Sequence, residues 1–423
     1  MVYFSAGSVN GRMSLDEAKS ALRATLKELG PKRRVLAIPP DITRVHSLAG
    51  PLTEAVWEHY GDGLTDILPA IGTHAPMSED EVGAMFGRVP PRLFRVHDWR
   101  NGTESLGVVP GDYVKTVSEG RVNYAIPIEV DRRLVEAGYD LVLSIGQVVP
   151  HEVVGMAGHI KNVFVGTGGF ETINRTHFLG AAFGMERIMG RTATPVRNVL
   201  DYGANRFASN LPIVHVLTVV GRDERGDLVL RGLFIGDDRE CFQRAAELSL
   251  KVNFRLLDAP LRKVVVYLDP REYKSTWLGN KSIYRTRMAI ADGGELIVLA
   301  PGVERFGEDI EVDGIIRRYG YAGTLRILNL MKKHEDLRLN LCAAAHLIHG
   351  SSEGRFGITY CPGRLTREAI EGVNYRYADL DAMTKTYDPG KLADGFNTTT
   401  DGEELFYISN PALGLWAGKD RFN

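Results

Sequence analysis

Four short stretches hold most of the residues able to do chemistry. PPDITRVHS carries Asp41, Thr43, Arg44 and His46, and GTHAP carries His74. QVVPHEVVGMAGHIKN carries His151, His159 and Lys161, and VGTGGFETINRTHF carries Gly168, Gly169 and His177. Histidine suits acid and base work, because an unperturbed pKa of about 6.5 leaves both forms available near neutrality. Each stretch also has a plainer reading. PPDITR reads equally as a proline-stiffened turn in which Asp41 caps a helix and Arg44 is solvated. A lone histidine such as His74 is more often a hydrogen-bonded core residue. The glycines before a predicted helix at 170–179 suit an anion such as a phosphate at the helix N-terminus. GTGG nevertheless lacks the Lys-Ser/Thr ending of a P-loop, and a turn packed closely on a strand explains it as well.

Metal chemistry needs its own test. HEVVG begins like the HExxH zinc helix, but Gly155 stands where the second histidine is required, which excludes that site. His177 offers a single imidazole, and one imidazole holds a divalent ion weakly. A metal there implies a cofactor that brings its own ligands.

The elements that must position these residues alternate between helix and strand. Apolar positions three and four apart over 13–29, ending at Gly30, predict an amphipathic helix. RVLAIPPD follows as a buried strand, then a helix near 48–60, a strand in TDILPAIGTHAP, and a helix that Ser78 caps. YDLVLSIGQVVPH is a β-branched run opening into a polar loop, and PIVHVLTVVG with LVLRGLFIGD predicts a hairpin around Asp227. A second alternating unit opens with RKVVVYLDP, passes through a helix near 280–291 and returns as GELIVLAPG. The pattern predicts two α/β domains, 1–258 and 259–399, with an active site in the cleft between them. The tail, 400–423, is free to pack back on the first. In open α/β sheets ligands collect beyond the carboxyl ends of strands, where the first three stretches fall.

Composition removes several function classes. The 51 Lys and Arg against 53 Asp and Glu give no field to draw nucleic acid or an acidic membrane. Three scattered cysteines, Cys241, Cys342 and Cys361, form no CxxC pair and fit a reducing cytoplasm. The N-terminal stretch lacks the pattern of a signal peptide, and no run of about 18 apolar residues could span a bilayer.

Taken together, DITR, GTH, PHEVVGMAGHIKN and ETINRTHF resemble the nickel-pincer lactate racemase family in order and spacing. The resemblance runs through the first domain and more loosely into the second. It implies an isomerase that inverts C2 of a 2-hydroxy acid with a nickel-pincer nucleotide, a pyridinium mononucleotide whose sulfur arms grip nickel, installed by cofactor-loading enzymes. By that likeness Lys161 carries the cofactor link, His177 fills the remaining nickel position, and His74 and His151 are the acid/base pair. Asp41, Thr43, Gly168 and Gly169 would hold the cofactor, and Arg44 the substrate. Hydride transfer explains the histidine pair. Removing the C2 proton builds negative charge beside a carboxylate, whereas removing hydride leaves a neutral ketone once a base has taken the hydroxyl proton.

Arg44 offers a bidentate fork to the substrate carboxylate, and Lys281 a point charge. Lys281 reads equally as a surface helix lysine. Leu278 stands where the family commonly has a glutamine. His46 and His159 add polar groups that point to a substrate larger than lactate, such as D-gluconate epimerised to D-mannonate; both also fit structural roles. The alternatives are a racemase of lactate or another short 2-hydroxy acid, and a non-catalytic protein that binds a sugar acid or nucleotide. A metal-dependent hydrolase would need three protein ligands, and only His177 has a ligand context.

Overall fold

The computed structural model describes residues 1–422. Two compact α/β units are resolved by their internal packing: Met1–Leu179 with Ile188–Asn253, and Gly180–Arg187 with Phe254–Asn423. The division falls at Asn253, five residues before the boundary the sequence pattern predicts, because the long helix ending there closes the first unit.

In the first unit, β1 (Val2–Gly7), β2 (Val35–Ile38), β3 (Leu64–Ile67), β6 (Leu141–Gln147), β7 (Ile213–Arg222) and β8 (Leu228–Gly236) form a six-stranded sheet in the order β1-β8-β7-β6-β2-β3. A separate two-stranded ribbon pairs β4 (Thr103–Val109) with β5 (Ile126–Asp131). Strands β7, β6, β2 and β3 are parallel, while β8 turns back as the hairpin partner of β7. The central strands VLAI and LVLSIGQ are buried along their whole length, which is why they read as continuous apolar runs rather than alternating ones.

Local chemistry sets the helices between them. Helix α1 (Leu15–Leu29) starts in a capping box of Ser14 and Glu17 and stops at Gly30, whose φ of 77° a residue with a Cβ adopts reluctantly. Helix α2 is Ala49–Tyr60, and α3 (Glu79–Phe86) starts in a second capping box, Ser78 with Glu81. Helices α4 (Phe170–Phe183), α5 (Pro195–Phe207) and α6 (Arg239–Asn253) complete this part of the chain. A core of Leu22, Leu26, Val35, Ala37, Leu52, Val56, Leu143 and Val216 joins α1 and α2 to the sheet.

The second unit has its own sheet. Strands β9 (Leu261–Tyr267), β10 (Ile290–Ala300), β11 (Gly357–Pro362), β12 (Arg376–Tyr377), β13 (Gly395–Thr398) and β14 (Glu404–Ile408) take the order β12-β11-β10-β9-β14-β13, parallel except for β13. The helix predicted near 280–291 is shorter, Lys281–Thr286, because Ile290 is already paired with Leu261. Its surroundings are aromatic: Trp277 stacks on His346 at 4.4 Å, and the hydroxyls of Tyr284 and Tyr321 meet the two His346 nitrogens at 2.8 and 2.9 Å. The tail stays within this unit, where Leu415–Gly418 pairs in parallel with Phe254–Leu257. No helix among the described residues is long and apolar enough to cross a membrane, and the three cysteines are buried and unbridged.

Candidate active site

Because β2, β3 and β6 are parallel, the loops after them leave the same edge of the sheet. Asp41 follows β2 and caps the 3-10 turn Ile42–Ser47, accepting from the Thr43 amide at 3.1 Å and the Thr43 hydroxyl at 2.5 Å. Its second oxygen lies 2.6 Å from His74 Nδ1, after β3. The capping and the chemical readings of Asp41 are therefore both realised. A carboxylate accepts, so Nδ1 of His74 carries the proton and Nε2 keeps its lone pair. Asp41 is 5% exposed and His74 27%, which leaves the imidazole reachable while its anchor is dry.

His151, beyond β6, is held in the opposite sense. The Val153 amide donates to its Nδ1 at 3.1 Å. An amide N–H has only a proton to offer, so Nδ1 accepts and the ring proton of the neutral form sits on Nε2. The two histidines thus present complementary nitrogens, a lone pair on one and an N–H on the other. Glu152 Oε1 stands 3.9 Å from His151 Nε2.

Lys161 precedes a π-helical turn, Asn162–Gly166, a distortion common at functional sites. Asn162 ties that turn to the sheet, donating to the carbonyls of Ile145 at 3.1 Å and Ile38 at 3.3 Å. Removal of water by the surrounding protein and the charge of Arg44 pull the Lys161 ammonium down to about 8, against the opposing pull of Glu152 and Asp41. The amine is thereby available as a nucleophile closer to neutrality than an exposed lysine.

His177 lies sixteen residues past Lys161, in the middle of α4. Its Nδ1 donates to the Ile173 carbonyl at 2.7 Å, leaving Nε2 for another partner. Burial holds this imidazole down to about 4, opposed by the Ile173 bond and helped by the Lys161 charge, with Glu152 and His74 also acting on it. It stays neutral across the physiological range, and its backbone-anchored Nδ1 is the orientation a metal-ligating histidine usually has. Among the described residues no three His, Cys, Asp or Glu side chains form a metal site. A metal at His177 would take its other ligands from a bound group. Asp41, Arg44, His74, Glu152, Lys161 and His177 are thus linked by contact or by mutual charge effects in one neighbourhood.

Other residues singled out in the sequence lie elsewhere or serve differently. Gly168 and Gly169 do not leave the α4 N-terminus open to a phosphate. The Glu129 carboxylate occupies it, accepting from the amides of Glu171 at 3.0 Å and Thr172 at 3.4 Å. The glycines are there for close packing, since a Cβ on Gly168 would stand 2.0 Å from the Phe164 carbonyl oxygen and one on Gly169 would stand 2.3 Å from Glu129. His159 does not join the neighbourhood of Lys161 either. With φ at +58° it turns its ring onto His215 of β7, centroids 4.0 Å apart, and Phe242 of α6 at 5.3 Å. His46 is buried at the end of the 3-10 turn. Lys281, in the second unit, is buried rather than on the surface, 5.9 Å from the Tyr273 ring. Leu278, three residues earlier, is buried as well.

Three residues gained importance only in three dimensions. Glu152 was visible in HEVV but weighed there only as part of a zinc motif. Asn162 and Glu129 had no local signal, because their partners are distant in sequence.

Comparison with known proteins bears on the fold and on one domain. A crystal structure of a protein from Thermotoga maritima is similar at a TM-score of 0.83 and 25% identity, over 99% of this chain and 100% of that one. The lactate racemase apoprotein from Thermoanaerobacterium thermosaccharolyticum shares the fold at a TM-score of 0.68 and 18% identity, over 97% of this chain and 94% of its own. No curated protein matches by sequence. Residues 17–187, which contain Asp41, Arg44, His74, His151, Lys161 and His177, match the lactate racemase N-terminal domain, so this part of the chain carries a domain of that family.

Proposed function

We propose that the protein is a 2-hydroxy acid racemase or epimerase that uses a nickel-pincer nucleotide. The observation that carries this reading is the complementary pair: His74, oriented by Asp41, offers a lone pair, and His151, oriented by the Val153 amide, offers an N–H. The residues also fit the cofactor. His177 has a neutral Nε2 for nickel and Lys161 an easily deprotonated amine for a covalent link. When bound, the cofactor would supply an acceptor that takes hydride from C2 and returns it.

The chain does the proton work. Arg44 neutralises the substrate carboxylate. Nε2 of His74 takes the C2 hydroxyl proton of one enantiomer, and the Asp41 carboxylate stabilises the imidazolium that results. The planar 2-keto acid then offers either face, and His151, protonated to the imidazolium with Nδ1 released from the Val153 amide, returns its Nε2 proton to the oxygen as the opposite configuration forms and is left neutral. For the other enantiomer the roles exchange, so each imidazole must pass through both protonation states in every cycle.

Within this class Glu152 favours a substrate with hydroxyls beyond C2, such as D-gluconate interconverting with D-mannonate. A carboxylate beside His151 accepts hydrogen bonds from hydroxyls beyond C2, which lactate lacks. His159, which packs on His215, contributes nothing to that preference. Cofactor-loaded protein assayed on aldonates and lactate in deuterium oxide tests both levels. Inversion at C2 without deuterium uptake is expected, with one nickel per chain by elemental analysis. Deuterium at C2 would overturn hydride transfer, faster turnover of lactate than of any aldonate would overturn the substrate reading, and binding without turnover would leave a non-catalytic binding protein.

A further inference from the structure

The opposite edge of the first sheet holds a cavity of about 560 Å³. It opens at the amino ends of β6 and β7, where Leu141 and Ile213–His215 line it, whereas the candidate active site lies beyond the carboxyl ends. His159 and His215 form part of its wall and are 7% and 3% exposed. Neither His159 nitrogen nor Nδ1 of His215 has a hydrogen-bond partner of good geometry. The Asp238 backbone approaches the His159 ring, and the charges of His215, Arg197 and Arg239 also act on it. A polar atom buried without a partner costs about 1–3 kcal/mol, so two such imidazoles facing one cavity are a built recognition surface rather than packing.

The surrounding charges decide what fits. Asp201 is engaged by Arg239 at 2.5 Å, and Asp237 by the Tyr3 hydroxyl at 2.6 Å. The N-terminal ammonium reaches Asp238 at 2.8 Å. Asp140 accepts from the Arg33 and Arg34 amides, so a cation would meet carboxylates already committed to partners, while an anion would meet those carboxylates together with Lys32 and Arg239. Behind the imidazoles the buried Arg197 guanidinium lies over Phe242, 4.3 Å from the ring centre, and donates to the Met156 carbonyl at 2.6 Å. Burial first, then the Arg197 charge, keeps His215 neutral down to about 3, and burial with His215 keeps His159 neutral too. A neutral imidazole has one donor and one acceptor, and the uncharged group that answers both is a hydroxyl.

We propose that this cavity binds a small, uncharged polyhydroxylated molecule, a monosaccharide or polyol, through His159 and His215. The site is independent of the proposed racemase activity.

Ligand-observed NMR on the full chain tests it, with D-glucose and D-mannitol as neutral probes, inorganic phosphate as the anion and ethanolamine as the cation. The neutral probes are expected to bind, and His215→Leu to weaken them roughly tenfold or more. Should His215→Leu not fold, Ala204→Phe, which fills the cavity from α5, is expected to abolish the same signal. His74→Ala, at the other edge of the sheet, is expected to leave it unchanged, which separates this site from the active site. Absence of neutral-probe binding, preference for phosphate or ethanolamine, or binding that survives Ala204→Phe would overturn the proposal.

Discussion

At the scale of single residues, the site depends on which ring nitrogen carries a proton. Asp41→Asn keeps the shape beside His74 but allows the amide to donate to Nδ1, which would place the ring proton on Nε2 where a lone pair is needed. Turnover is expected to fall roughly 10²–10⁴-fold with little change in KM, read from steady-state kinetics on cofactor-loaded protein. Lys161→Ala is expected to lose the covalent cofactor adduct in an intact mass spectrum, and His177→Ala to lose nickel by elemental analysis. His74→Ala and His151→Ala should keep both and lose turnover, and activity in either would reassign that residue. The motif residues were legible in the sequence because the chemistry demands particular side chains at particular spacings. Glu152 was not, since its charge matters only to residues that the fold brings beside it, Lys161 and His177.

At the scale of elements, the turn before α4 shows how a glycine pattern can mislead. The Phe164 carbonyl would lie 2.0 Å from an alanine Cβ at Gly168 and is fixed in the backbone. Gly168→Ala is expected to destabilise the protein by roughly 2–4 kcal/mol in urea unfolding. Gly314 is the contrast: it sits inside the helix Ile310–Tyr319 with nothing within 4 Å of a Cβ, so Gly314→Ala is expected to stabilise by about 0.5–1 kcal/mol. Helix starts were legible where capping is local, as at Ser14 and Ser78. The start of α4 at Phe170 was legible from the glycines before it, but its cap was not, because that cap is the Glu129 carboxylate from β5, some forty residues earlier.

At the scale of the whole molecule, buried imidazoles set an acid limit. His177 and His215 have folded values of about 4 and about 3, below the unfolded value of about 6.5, so the unfolded chain binds protons that the folded chain refuses. Their contribution is complete above pH 6.5 and is lost as the pH falls toward 4 and 3. Urea midpoints are expected to drop steadily from pH 7 to pH 4.5, and a flat profile would contradict the burial of these rings. What the sequence determined by itself was the α/β alternation, the local caps and the set of residues able to do the chemistry, because each depends on neighbours within a few positions. Tertiary structure alone decided which histidines meet. Parallel pairing of β2, β3 and β6 carries Asp41, His74 and His151 to one edge, while the left-handed backbone at His159 turns that ring away to His215. Strand order and the direction of a turn are fixed by packing between distant segments, which no local spacing encodes.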